Sequence, residues 1–210
     1  MGLLQDGYLS QTGPLDLREI VRVYESSLKY IRSSSEESRL LGEQINDPGY
    51  GAPSYICGPL SIAILQDAGL VSAGISPHAF WLLNPDIWDD RRLLSKAFPS
   101  AKFENRFYKI KLNEVDWNQT PLYPGDFIYI YAGTGGNFEH MLVVNRVDNA
   151  GRAYAVTNHE TPVGFVISEV LLYNPSNPDV GMFPLWTAKS NAETGSTGFA
   201  GFEVWRLRTP

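Results

Sequence analysis

Apolar residues recur at helical spacing from Leu17 through Ile20, Val21, Tyr24 and Leu28 to Ile31, and Asp16 followed by Glu19 has the form of a capping box. The pattern predicts a helix over roughly 16 to 32. Serines and glutamates at 33–38 read as a break, after which LLGEQI continues as a short helix ending near Asp47, Pro48 and Gly49. ICGPLSIAILQDAGL is apolar on nearly every side and reads as a buried helix that starts at Cys57. A proline lacks the amide N–H and clashes with the preceding turn, so Pro59 fits only in the first turn, and Gly69 closes the helix as its C-terminal cap. Between Ser76 and Ser100 the pattern predicts short helices rich in tryptophan and leucine, interrupted by Pro85 and Pro99.

After Lys102 the texture changes. KFENRFYKIKL, DFIYIYA, HMLVVNRV, RAYAVTN and FEVWRLR are β-branched or aromatic runs separated by turn residues, and they read as five strands. Asp148, Asn149, Ala150 and Gly151 form a hairpin connection, which makes HMLVVNRV and RAYAVTN antiparallel neighbours. The polar, small-residue stretch from Lys189 to Gly201 reads as a loop or substrate lid before the last strand. Helices first and strands afterwards give an α+β class. No internal repeat and no second core boundary is visible, so residues 1–210 read as one domain: 1–50 a helical cover, 51–210 the core, with 76–100 a helical insertion.

Composition narrows the class. The chain has 210 residues, 43% hydrophobic and 19% charged, which excludes disorder. At this size a folded chain buries about 70% of the surface it would expose unfolded, enough for one substantial core. No apolar run reaches the roughly 18 residues that a membrane-spanning helix needs. Seventeen basic against twenty-three acidic residues give a net charge of −6 with no block of Lys or Arg, so nucleic acid is set aside as a partner. MGLLQDGYLSQTG lacks the basic start and apolar stretch of an export signal, and the single cysteine forms no internal disulfide, so localisation stays open.

Cys57 is the first candidate for chemistry. A cysteine in the first turn of a helix meets the positive end of the macrodipole and unpaired amide N–H groups, which favour thiolate over thiol. The competing reading is a small buried filler, the commoner fate of a lone cysteine. His78, His140 and His159 are the possible bases. His140 opens a strand after the turn GTGGNFE, whereas His78 sits in a Ser-Pro-His helix start and reads as structural. The hairpin returns Asn158 to the same end of the sheet as His140, where a side-chain amide can orient imidazole. Asn158 reads otherwise as a strand-end turn residue, and His159 and Glu160 as a solvated loop. A metal site of Cys57, His140, His159 and Glu160 lacks paired Cys-x-x-Cys or His-x-x-x-His spacing.

ICGPLSIAILQDAGL, followed by YPGDFIYIYAG and HMLVVNRVDNAGRAYAVTN, resembles the papain-like cysteine peptidase superfamily over roughly 50 to 160. Its bacterial branches include NlpC-type cell-wall peptidases, CHAP amidases and double-glycine leader peptidases. In them a cysteine starts a helix, a Pro-Gly-Asp turn starts a strand and a histidine opens the next. Cys-Gly-Pro is closer to the leader peptidases, while Pro124, Gly125 and Asp126 before an aromatic strand are closer to the NlpC and CHAP branches.

The resemblance implies a papain-like fold, with the cysteine helix packed on an antiparallel sheet. It implies Cys57 as nucleophile, His140 as general base and then acid, and Asn158 as the group that holds the ring, with Glu160 in reserve for the third role. It also implies hydrolysis of a peptide or amide bond through a thioester, with no metal or organic cofactor, on a peptide or peptidoglycan-type substrate. A cell-wall substrate would suggest export. The glutamine that often precedes the cysteine is absent from GYGAPSYI, leaving the Cys57 amide with Gln44, Tyr50, Ser54 or Tyr55 as candidate oxyanion donors. A reading from a different class is a non-catalytic domain that grips a peptide or sugar through aromatics such as Trp81, Trp88, Trp117 and Trp186. A third is an unrelated α+β protein in which Cys57 is inert.

Overall fold

The computed structural model describes residues 7–10, 12–132, 139–188 and 199–209. Helix α1 (Leu17–Leu28) opens with the expected capping box, in which the Asp16 carboxylate accepts from the Glu19 amide and the Glu19 carboxylate from the Asp16 amide, each at 2.9 Å. It stops short of residue 32 because Arg32 leaves to pair with Ile167 of the sheet through two backbone hydrogen bonds, 2.8 and 3.0 Å. Helix α2 (Ser35–Ile45) begins inside the stretch read as a break. Ser34 accepts from the Glu37 amide at 3.2 Å, so serines that resist helix interiors serve here as the start signal.

Helix α3 (Cys57–Asp67) is buried at every position from Cys57 to Leu65. Pro59 lies in its first turn, and Gly69 follows its end in the left-handed region, φ +75°. A 3-10 turn at Pro53–Tyr55 leads into it, another spans Pro77–Phe80, and helix α4 covers Trp88–Ala97.

Among the described residues, six strands form one antiparallel sheet: β1 (Phe103–Tyr108), β2 (Phe127–Tyr131), β3 (His140–Val147), β4 (Ala153–Thr161), β5 (Gly164–Tyr173) and β6 (Gly201–Leu207), in the order β1-β6-β2-β3-β4-β5. The class is therefore mixed α+β. Helix α5 (Met182–Ala188) lies between β5 and β6 in the chain, and no described helix is long and apolar enough to cross a membrane. The Asp148–Gly151 hairpin joins β3 to β4 as expected. The sixth strand, β5, is additional to the five runs, and β4 continues past Asn158 into the positions read as a solvated loop. The expected loop or lid before β6 lies outside the described residues at 189–198, as does the turn before His140 at 133–138.

Side chains alternate along strands, and the alternation divides the core in two. Phe127, Tyr129, Met141, Val143, Val156 and Ile167 face α1 and α3 in one cluster, which also holds Cys57. Ile128, Ile130, Leu142, Val144, Ala155 and Phe202 face the other way, under Trp117 and under Phe183 and Trp186 of α5. The Pro-Gly-Asp turn anchors β2 to β6. Gly125 takes φ +86°, and the buried Asp126 carboxylate accepts from Arg206 through Nε at 2.9 Å and Nη2 at 2.6 Å. Removing one partner of such a buried pair typically costs about 3–5 kcal/mol.

Candidate active site

Cys57 is the first residue of α3, and the residue before it, Ile56, gives no side-chain cap. The amides of Cys57 and Gly58 therefore have no partner within the helix, while Pro59 has none to satisfy. The sulfur is packed against β3. Burial raises the thiol's pKa; the amides of Met141, Gly58 and Cys57 lower it, and the Glu139 carboxylate adds to the raise. Burial wins, so the expected thiolate gives way to a protonated thiol with a side chain only 9% exposed. Gly58 permits the close approach, since a Cβ there would fall 2.2 Å from the Phe80 carbonyl oxygen and 2.7 Å from Met141 Cε.

Asn158 shares this face of the sheet. Its Nδ2 donates to the Pro53 carbonyl at 2.7 Å, which ties down the turn that delivers the chain to Cys57. Its Oδ1 is buried and has no hydrogen-bond partner. Tyr129 of β2 also lies on this face, directly opposite Met141 in the register, and its buried hydroxyl likewise has no hydrogen-bond partner.

His140 lies on the opposite face. It pairs across the ladder with Ile130, its Nε2 lies 2.9 Å from Thr157 Oγ1, and its ring meets Trp186 edge-on at 5.0 Å. Burial, with a smaller contribution from His159, pushes its pKa down to about 4. The Cys57–His140–Asn158 triad is thus not assembled: the structure brings Asn158 to the Cys57 side and holds His140 on the other. The reason is strand alternation, because Met141 faces α3 and its neighbour His140 cannot do so in the same extended backbone.

The remaining candidates fall outside the Cys57 cluster. His159 places Nε2 2.7 Å from Ser168 Oγ on the His140 face, and Glu160 is exposed at the end of β4, so the four residues weighed for a metal are divided between the two faces. His78 bonds to Asn46 and stacks on Trp81. Gln44, Ser54 and Tyr55 are exposed, while Tyr50 packs edge-on to His78 and Trp81. Among the tryptophans, Trp88 is 74% exposed, Trp117 stacks on Tyr173 and Trp186 is buried on His140.

No family model, curated protein or solved structure matches this chain.

The local chemistry is that of a buried thiol at a helix start, on a sheet face that also carries an unpaired donor, the Tyr129 hydroxyl, and an unpaired acceptor, Asn158 Oδ1. Sequence reading did not single out Tyr129, which sits in the run FIYIY with every neighbour apolar or aromatic. The available signal is that a tyrosine in so apolar a strand needs a partner for its hydroxyl.

Proposed function

We propose that this chain is a papain-like cysteine hydrolase that cleaves a peptide or amide bond, with Cys57 as nucleophile. One observation carries the reading: Cys57 opens a buried helix with amide N–H groups bearing on its sulfur, and Asn158 is fixed on the same face with an acceptor oxygen lacking a partner. Asn158 Oδ1 is positioned to accept an imidazole N–H on that face. Amide N–H groups at the helix start suit an oxyanion.

The chemistry is acyl transfer. His140 takes the thiol proton, the sulfur adds to the amide carbonyl, and collapse breaks the C–N bond as His140 returns the proton to the leaving amine. Water then adds to the thioester, giving its proton to His140, and the thiol leaves as acid is released. For His140 to act on Cys57, its ring must leave Thr157 and the backbone at residue 140 must rotate out of its pairing with Ile130, which brings it to the Asn158 face. It is the first residue of β3, so its rotation disturbs one end of the ladder and not its middle. The neutral thiol and neutral imidazole correspond to the resting arrangement. Stem peptides of the cell wall are the substrate class carried by the resemblance.

The placement of His140 favours a second reading, a non-catalytic binding domain that keeps the fold and grips a ligand through exposed aromatics such as Tyr55 and Trp88. The pH dependence of iodoacetamide alkylation, read by intact mass on the native chain and on His140→Ala, separates the two. Fast native labelling below about pH 7 that is lost in the variant supports the hydrolase. Labelling that is slow until about pH 8.5, or that requires unfolding, overturns it.

A further inference from the structure

We infer that the Tyr129 hydroxyl is an oxyanion donor for acyl transfer at Cys57, an inference that rests on Cys57 acting as the nucleophile. Tyr129 is 0% exposed and its Oη makes no hydrogen bond. Phenylalanine would fill the same space without stranding a donor, so an unpaired hydroxyl is an unfavourable thing to keep in a core unless something binds it. Its position says what that is. Tyr129 stands opposite Met141 in the β2–β3 register, the Met141 amide bears on the Cys57 thiol, and both side chains belong to the cluster under α3.

The ring is held in place, with Tyr131 edge-on at 4.8 Å. Burial first, and then the neighbouring Glu139 carboxylate, push the phenol well above its ordinary range. The group therefore remains a protonated donor at every pH where a thiolate attacks. It also meets a shortage, since Gln44, Ser54 and Tyr55 are exposed and Tyr50 packs on His78 and Trp81. In the step itself, sulfur adds to a carbonyl carbon, the C=O electron pair moves onto oxygen, and the Tyr129 O–H and the Cys57 N–H donate to that oxygen without giving up their protons. The pair returns as the leaving group departs.

The test compares two reagents on one thiol. p-Nitrophenyl acetate acylates Cys57 through a tetrahedral oxyanion and releases p-nitrophenolate, whereas iodoacetamide alkylates it by displacement with no oxyanion. Tyr129→Phe is expected to slow acylation by about a hundredfold, the usual effect of removing one such donor, while alkylation stays within about twofold. Equal loss of both rates, or no loss of either, overturns the inference and leaves Cys57 as nucleophile. Failure of the wild-type chain to react with either reagent overturns the nucleophile reading, and this inference with it. The thermal midpoint of Tyr129→Phe should match or exceed that of the wild type. A large fall would make the hydroxyl structural and also overturn the inference.

Discussion

Where β3 begins, the two faces of one sheet treat their polar groups in opposite ways. On the α5 face, His140 meets Thr157 at 2.9 Å and His159 meets Ser168 at 2.7 Å, with Trp186 closing over the His140 ring. On the α3 face, on the other side of the same strands, the Tyr129 hydroxyl and Asn158 Oδ1 are buried without hydrogen-bond partners. Folding rarely leaves such groups unmet, and those that persist need an explanation of their own. The α5 face meets its polar groups with protein partners, and the α3 face keeps a donor and an acceptor without them. Histidine chemistry and thiol chemistry are thus separated by the thickness of a strand.

The largest way to break this comparison is to push the α3 face off the sheet. Gly58→Ala places a Cβ 2.2 Å from the Phe80 carbonyl oxygen, a backbone atom that cannot swing aside, and 2.7 Å from Met141 Cε. Overpacking at such a site costs about 3 kcal/mol. Urea unfolding should show that loss, and with it faster alkylation of Cys57 as the helix start lifts from Met141.

The α5 face is tested by acid. The folded-state pKa of His140 is depressed to about 4, so between the ordinary imidazole value and that point the unfolded chain binds the proton more readily. Stability is complete above about pH 6.5 and declines as pH falls toward 4, by about 3 kcal/mol from this group at most. His159, also shifted down by burial, adds in the same direction. The difference between urea midpoints at pH 7 and pH 4.5 should shrink markedly in His140→Gln, and an unchanged difference would place the acid sensitivity elsewhere.

This division of faces was not legible in the sequence, although much around it was. Asp16 with Glu19, Pro59 with Gly69 and Asp148 to Gly151 are local signals whose chemistry acts within a few residues, and the structure uses each as read. Strand β5 was obscured because Ser168 and Glu169 interrupt its apolar run, and their partners lie on other strands: His159 of β4 for the serine, Arg146 and Asn145 of β3 for the glutamate. The face that His140 takes is harder still. HMLVVNRV is buried at every position, so no polar-apolar alternation marks which side faces α3, and a shift of one residue reverses every side chain. Tyr129 is hidden by the same uniform burial in β2, where Phe127 to Ile130 show no exposed position.

Thr157 and Asn158 are adjacent in β4 and face opposite ways, which makes them a matched pair for the smallest of these tests. Thr157→Val keeps the shape of the side chain and removes the oxygen that His140 Nε2 meets inside a sealed core, where water cannot replace it. That should cost about 2 kcal/mol. Asn158→Ala loses the 2.7 Å bond to the Pro53 carbonyl but also removes an oxygen that has no partner, and Pro53 is only half-buried, so solvent can reach what is left. The two effects oppose each other, and the net loss should be about 1 kcal/mol. Denaturant midpoints measured side by side decide it. If Asn158→Ala proves the costlier change, then the α3 face is the one held together by its polar contacts, and the unpaired oxygen beside Cys57 loses its meaning as an acceptor kept for the histidine.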